Sequence, residues 1–366
     1  MNPNAQNSQI NNSQNIPMPT TITSRVANSN DPAIQPIESP AAIKQRLALP
    51  EKHRVQVESQ RQQIRNILNG EDSRLLVITG PCSIHDEEAA LDYGQRLVAL
   101  NEQLGDRLLI VMRAYVEKPR TNIGWKGLAY DPDRNGKGDM AQGIERSRKV
   151  MLELIRMGLP LATEALNPAV MMYLDDLISW TAIGARTAES QIHREMVSHL
   201  GMPTGIKNGT DGSMTTAVNA MVAARHSHHT LGMDGNGQMA MLTTPGNPDT
   251  HIVLRGGNNL TNYDEHSIAD AQSQLHDADC HVGVMVDCSH ANACKQHRRQ
   301  VPIALNVVEQ RVAGNRNIMG VMLESFINEG NQKMGGKLVY GQSITDPCIG
   351  WEQTENLLKA MHAKLV

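Results

Sequence analysis

A single phenylalanine, Phe326, stands in a chain of 366 residues that carries 20 methionines. Methionine therefore fills core volume that phenylalanine usually fills, which softens the packing without changing its class. No run approaches the ~20 apolar residues that a membrane helix needs, so no membrane partner is expected. Nor is there an excess of positive charge. The formal net charge is -4, and nucleic acid is not an expected partner; any positive charge that matters is local. No two of the five cysteines form a CxxC pair, which argues against a structural zinc knuckle. Their odd number and the lack of a secretory leader argue for free thiols in a reducing cytoplasm.

What the chain does have is rhythm. Residues 1–36 are rich in Asn, Ser, Gln, Pro and Thr and read as a disordered N-terminal arm. A helical extension over about 37–74 follows, with one helix at 54–68 stopped by Asn69-Gly70. From Leu75 onward short aliphatic runs alternate with helical patterns. Strands are expected at 75–80, 108–113, 161–165, 181–186, 205–207, 251–255, 282–287 and 318–323. The helices expected between and after them are 87–104, 142–157, 168–179, 190–200, 213–224, 263–275, 295–313 and 351–365. Eight strands, each followed by a helix, predict an α/β fold, a closed (β/α)8 barrel forming a single catalytic domain over 37–366. Residues 228–244 break the rhythm and read as an inserted β-hairpin with turn candidates at Asp234-Gly235 and Asn236-Gly237. An insertion of that kind adds nothing to barrel closure and suits a regulatory or subunit-contact element.

Functional residues collect where the expected strands end. Arg113, Arg186, Lys207 and Arg255 each close an apolar run. Four cations on one rim repel one another unless an anion sits between them, with Glu164 and Glu189 as available neutralisers. A small molecule with a phosphate and a carboxylate would satisfy them. A second anion site is expected at Glu117-Lys-Pro-Arg-Thr121, where Pro119 fixes the backbone between Lys118 and Arg120 and Thr121 adds a hydroxyl. Cys82, His290, Glu324 and Asp346 follow strands one, seven and eight, which adjoin in a closed barrel. Together they offer soft and hard donors to one Mn, Fe, Co or Zn ion without strong selectivity. Cys288 is expected to pack, Cys294 to be buried at the start of a helix, and the clusters His226/His228/His229 and His276/His281 to lie at the surface.

Eight motifs, in order, resemble those of the class I 3-deoxy-D-arabino-heptulosonate 7-phosphate (DAHP) synthases. They are Gly80-Pro-Cys-Ser-Ile-His-Asp86, Glu117-Lys-Pro-Arg-Thr121, Gly124-Trp-Lys-Gly127, Ala182-Ile-Gly-Ala-Arg186, Lys207-Asn-Gly-Thr-Asp-Gly212, Leu254-Arg-Gly-Gly257, Asp287-Cys-Ser-His-Ala-Asn292 and Tyr340-Gly-Gln-Ser-Ile-Thr-Asp346. The resemblance covers about residues 40–360. It implies condensation of phosphoenolpyruvate with erythrose 4-phosphate, the first step of the shikimate pathway. Phosphoenolpyruvate would lie among Arg113, Lys118, Glu164, Arg186, Lys207 and Arg255, with the other phosphate on Arg120 and Thr121. Cys82, His290, Glu324 and Asp346 would hold one divalent metal, with Asp346 also counted among the substrate contacts. Lys118, Glu164 and His290 are the expected catalytic residues, Lys118 as proton donor and Glu164 orienting the water.

The resemblance also implies inhibition by an aromatic amino acid bound near the hairpin, and a homodimer or homotetramer. Residues 157–166 and 286–290 look most like the tyrosine-regulated type. Asn167 stands where the family usually carries Asp, Gly201 where it carries Ser, and Ile206 where it carries Phe. Losing a carboxylate that faces the effector's ammonium group would weaken inhibition or alter effector choice. Two alternatives remain: a related synthase using another sugar phosphate such as arabinose 5-phosphate, and a non-catalytic paralogue that binds an aromatic amino acid.

Overall fold

The run Leu75-Leu-Val-Ile-Thr-Gly80 has no polar face, so as a strand it must be covered on both sides. In the computed structural model, which describes residues 33–365 apart from Asn259, that strand is buried at every position. Most of the expected N-terminal arm, residues 1–32, lies outside the described residues.

The strand is β1 (Leu75–Gly80), and seven others join it: β2 (Leu108–Arg113), β3 (Leu161–Glu164), β4 (Trp180–Ile183), β5 (Thr204–Lys207), β8 (Thr250–Leu254), β9 (Val284–Asp287) and β10 (Ile318–Glu324). They pair in parallel into a closed barrel of order β1-β10-β9-β8-β5-β4-β3-β2. The (β/α)8 barrel is therefore the fold. Between β5 and β8 the inserted hairpin is present as β6 (His229–Met233) and β7 (Met239–Thr243), antiparallel. Its turn closes by Asp234 N–H donating to Gln238 O and Gly237 N–H to Asp234 O, with Gly237 at φ +82. A two-stranded ribbon of β11 (Asn328–Asn331) and β12 (Gln342–Ser343) was not expected.

Several boundaries differ from expectation, for identifiable reasons. Strand β4 ends at Ile183, because Gly184 O accepts from Thr187 N–H and Ala188 N–H and opens a turn that carries Arg186. The expected helix 168–179 is only α5 (Pro168–Met171) followed by a 3-10 turn at Asp175–Leu177. Arg148 explains the break: its guanidinium grips both oxygens of Asp176 at 2.7 Å and takes the Tyr173 carbonyl at 2.8 Å. The expected helix 295–313 begins as α9 at Gln300 (Gln300–Val312), since Cys294 (φ +50) and Lys295 (φ +61) cannot propagate a helix.

The extension holds two helices rather than one, α1 (Pro40–Arg46) and α2 (Glu51–Leu68). Ile64, Ile67 and Leu68 of α2 join a cluster with Leu76, Ile78, Trp180, Val253, Met285, Met319 and Met322 of the barrel strands. Arg61 donates to Asp175 O and Ile178 O ahead of β4, and Arg65 pairs with Asp249 ahead of β8. Helix α2 thus plugs the amino-terminal end of the barrel, leaving the carboxyl end for chemistry.

Ile64 is fully buried in that plug, so Ile64→Ala should cost about 2–4 kcal/mol of stability. Urea unfolding would measure this, and a loss under 1 kcal/mol would show that the plug is dispensable.

Candidate active site and metal centre

Inward-pointing side chains alternate along a strand, so the last inward residues of the strands meet in one layer at the carboxyl mouth. Here that layer and the loops above it enclose a cavity of about 360 Å³. Lys118, Arg120, Thr121, Glu164, Arg186, Lys207, Arg255, His290 and Asp346 all line it. Five cations thus face two carboxylates, a balance that favours an anionic occupant. Two glycines make room: a Cβ at Gly184 would overlap Glu164 Oε1, and one at Gly124 would come within 2.7 Å of Arg120 Nε.

Arg113 sits behind this wall. It is 1% exposed, and its guanidinium is taken by Glu324 Oε1 (3.2 Å), Pro81 O (3.3 Å) and Met322 Sδ (3.0 Å). Tyr115 covers its face, with Cζ 3.9 Å from the ring centroid. The Tyr115 hydroxyl is itself buried without a hydrogen-bond partner among the described residues.

Of the two expected neutralising carboxylates, only Glu164 lines the cavity. Glu189 is exposed, whereas Asp287 is fully buried and pairs with Lys207 Nζ at 2.9 Å. The same carboxylate holds His290 Nδ1 at 2.8 Å, and Ser289 Oγ donates to it at 2.6 Å. Burial would push Asp287 up, but His290 and Lys207 outweigh it and hold the carboxyl well below its ordinary range.

Cys82 Sγ, a Glu324 oxygen and an Asp346 oxygen lie within 4.8 Å of one another. His290 Nε2 is 3.9 Å from Glu324 Oε1. With Nδ1 engaged by Asp287, its free nitrogen is the one on the Glu324 side, the tautomer a metal-ligating histidine uses. Cys82, Glu324 and Asp346 thus form one donor group suited to a divalent transition metal, and His290 stands beside Glu324 without joining that group. Burial pushes the Cys82 thiol up to about 12, with the Glu324 charge adding to it. The Lys118 ammonium lies 2.6 Å from Cys82 Sγ and 3.1 Å from Asp346 Oδ2. Burial opposes its charge, but Cys82, Asp346 and Glu324 prevail and raise it well above the ordinary lysine value.

Reasoning from sequence passed over Asp287, Tyr115, Glu117 and Tyr130. Asp287 shares inward parity with Met285 at the end of β9, which was the available signal. Glu117 is 2% exposed, accepts from Tyr130 Oη at 3.1 Å and from Asn167 N–H at 3.4 Å, and has no cation partner among the described residues. Burial pushes it up to about 7. Cys294 corrects another expectation: it is exposed rather than buried. Cys288 is buried as expected.

A second cavity, about 660 Å³, lies between the hairpin, α1, α5 and α6 (Gln191–His199). Asn167, Met171, Met196, Leu200, Met233 and Met239 are among its walls. Gly201 is not; nothing lies within 4 Å of where its Cβ would stand, and its carbonyl accepts from Arg65.

Residues 50–359 match the model of the DAHP synthetase I family. A Tyr-sensitive phospho-2-dehydro-3-deoxyheptonate aldolase of Escherichia coli K12 is 49% identical over 334 residues, 90% of this chain and 94% of that one. A Trp-sensitive aldolase of the same name from Enterobacter agglomerans is 52% identical over 304 residues, 82% of this chain and 87% of that one. The structure of the Francisella tularensis SCHU S4 phospho-2-dehydro-3-deoxyheptonate aldolase superposes with a TM-score of 0.90 at 38% identity, covering 92% of this chain and 98% of that one.

Glu117 yields a pH test. Its value of about 7 in the folded chain exceeds the ordinary 4.5, so its stabilising contribution is whole below pH 4.5 and lost as pH rises through 7. Relative to the parent, Glu117→Gln should gain about 2–3 kcal/mol between pH 5 and pH 8. Urea titrations at both pH values would show it; a pH-independent difference would mean that Glu117 does not titrate in this window.

Proposed function

The chain belongs to the DAHP synthetase I family, and from that premise we propose that it condenses phosphoenolpyruvate with D-erythrose 4-phosphate and water. The products are 3-deoxy-D-arabino-heptulosonate 7-phosphate and phosphate, the first step of the shikimate pathway. The observation that carries this reading is the convergence of five cations on one cavity, with His290 and Asp346 in its lining and a Cys82–Glu324–Asp346 donor group beside it.

Each substrate has a place consistent with its charge. Arg186, Lys207 and Arg255 hold the carboxylate and phosphate of phosphoenolpyruvate, with Arg113 supporting them from behind Glu324. Arg120 and Thr121 hold the phosphate of the sugar across the same cavity. So held, C3 of phosphoenolpyruvate attacks the aldehyde carbon, and positive charge at C2 is quenched by water. The resulting phosphohemiketal loses phosphate by carbon–oxygen cleavage. Lys118, protonated and bordering the cavity, donates a proton to the new alkoxide. Glu164, kept in place by the space at Gly184, orients the water. Cys82, His290, Glu324 and Asp346 would hold the divalent ion, which supplies Lewis acidity at the aldehyde when bound.

An aromatic amino acid, tyrosine first, is the proposed feedback inhibitor, and the Met-lined cavity beside the hairpin is its proposed site. Relatives of both Tyr- and Trp-sensitive kinds match at similar identity, so Asn167 at the cavity wall is the residue that bears on effector choice. Exposed Leu231, Met239 and Met241 on the hairpin support a homodimer or homotetramer. No described helix is long and apolar enough to cross a membrane, and we place the protein in the cytoplasm.

Two measurements follow from the site. Chelator-stripped protein should release no phosphate from the two substrates, and Mn²⁺ should restore turnover; full activity in excess chelator would remove the metal from the reaction. Arg186 is exposed at the cavity and lies in a turn outside the barrel strands. Arg186→Ala should accordingly raise the KM for phosphoenolpyruvate at least tenfold with a melting temperature within ~2 °C of the parent. Unchanged kinetics would take Arg186 out of the site.

A further inference from the structure

A chain of hydrogen bonds runs from the wall of the Met-lined cavity to Glu117, whose neighbour in sequence, Lys118, lines the cation-rich cavity. Asn167 stands in the wall of the Met-lined cavity, and Lys118 in the wall of the cation-lined one. The Asn167 side chain is used at both ends: Oδ1 accepts from Ala169 N–H at 2.9 Å, and Nδ2 donates to Tyr130 Oη at 3.0 Å. Tyr130 Oη donates in turn to Glu117 Oε1 at 3.1 Å, while the Asn167 backbone N–H reaches Glu117 Oε2 at 3.4 Å. Glu117 is the residue immediately before Lys118.

The segment that carries this link has little slack. Gly127, at φ +115, lies so close to Val116 O and the Glu117 Cα that a Cβ there would overlap them. Lys118 N–H donates to Lys126 O at 2.9 Å, Ala129 N–H to Val116 O at 3.1 Å, and Trp125 Nε1 to Asp131 O at 2.8 Å. Residues 116–131 are thus braced against each other, and a shift of Tyr130 or Glu117 carries Lys118 with it. An occupant of the Met-lined cavity with a polar group at Asn167 competes for the amide that holds Tyr130.

We propose that Glu117 and Tyr130 are positioning residues for Lys118, and that through Asn167 they couple occupancy of the Met-lined cavity to the reacting site. The proposal rests on the effector reading above. By linkage, if the effector weakens phosphoenolpyruvate binding through Lys118, phosphoenolpyruvate must weaken effector binding by the same factor. The Tyr130 hydroxyl is the link that can be cut without touching either cavity wall.

The test uses the full chain loaded with Mn²⁺ and its Tyr130→Phe variant, which loses one oxygen from a partly exposed ring. Binding of L-tyrosine, L-phenylalanine and L-tryptophan is measured by calorimetry with and without saturating phosphoenolpyruvate, alongside inhibition of phosphate release. In the parent, phosphoenolpyruvate should weaken the bound amino acid at least fivefold. In Tyr130→Phe that ratio should fall below twofold, with effector Kd alone within threefold of the parent. A variant that keeps the parental ratio overturns the coupling and leaves the effector reading intact. If none of the three amino acids binds the parent at millimolar concentration, the effector reading falls and the coupling with it.

Discussion

Crowding cations around one mouth of a barrel is the constraint that the rest of this structure answers. Two of the cationic strand-end residues, Arg113 and Lys207, are almost wholly buried, and burying either charge without a counter-charge would be costly. Glu324 takes the first at 3.2 Å and Asp287 the second at 2.9 Å. Removing one partner of such a pair commonly costs about 3–5 kcal/mol, because the other is left buried and uncompensated. Arg186 and Arg255, which have no ion-pair partner among the described residues, can then face the cavity with Arg113 and Lys207 already compensated.

Asp287 has a second duty that ties the two halves of the site together. The oxygen that receives Lys207 also receives His290 Nδ1. Lys207, proposed to hold substrate, and His290, proposed to ligate the metal, are therefore oriented by one carboxylate, itself fixed by Ser289. Glu324 repeats the arrangement, holding Arg113 while offering an oxygen to the donor set. The proposed anion and metal sites are in this sense one charge network. A change at either carboxylate disturbs both.

The barrel was legible because its strands are apolar on both faces and regularly interrupted, and the sites because cationic and metal-ligating residues end those strands. Every expected cavity residue except Arg113 and Glu189 lines the cation-rich cavity or belongs to the donor group beside it; Arg113 stands directly behind, and Glu189 is exposed. What escaped notice depends on tertiary partners. Arg148 reaching across to Asp176 splits a helix that periodicity alone would continue. Helix α1 is only seven residues long and gains its place from Ser39 capping and contacts beyond it. Glu117 and Tyr130 sit in a polar loop where nothing in the spacing distinguishes a buried carboxyl from a solvated one.

The two buried carboxyls, Asp287 and Glu117, differ in how firmly their surroundings hold a charge. Both lose water, which favours the neutral form. Asp287 has Lys207 and His290 against it, so its charge is fixed across any ordinary pH. Glu117 has only a phenol and backbone amides, and it rests near neutrality at about 7. Hydrogen bonds from neutral donors hold a position without fixing a charge. A group so poised changes its preferred partners for little free energy. That is the property a connection between two cavities needs, and one that an ion pair as firm as Lys207–Asp287 would deny it.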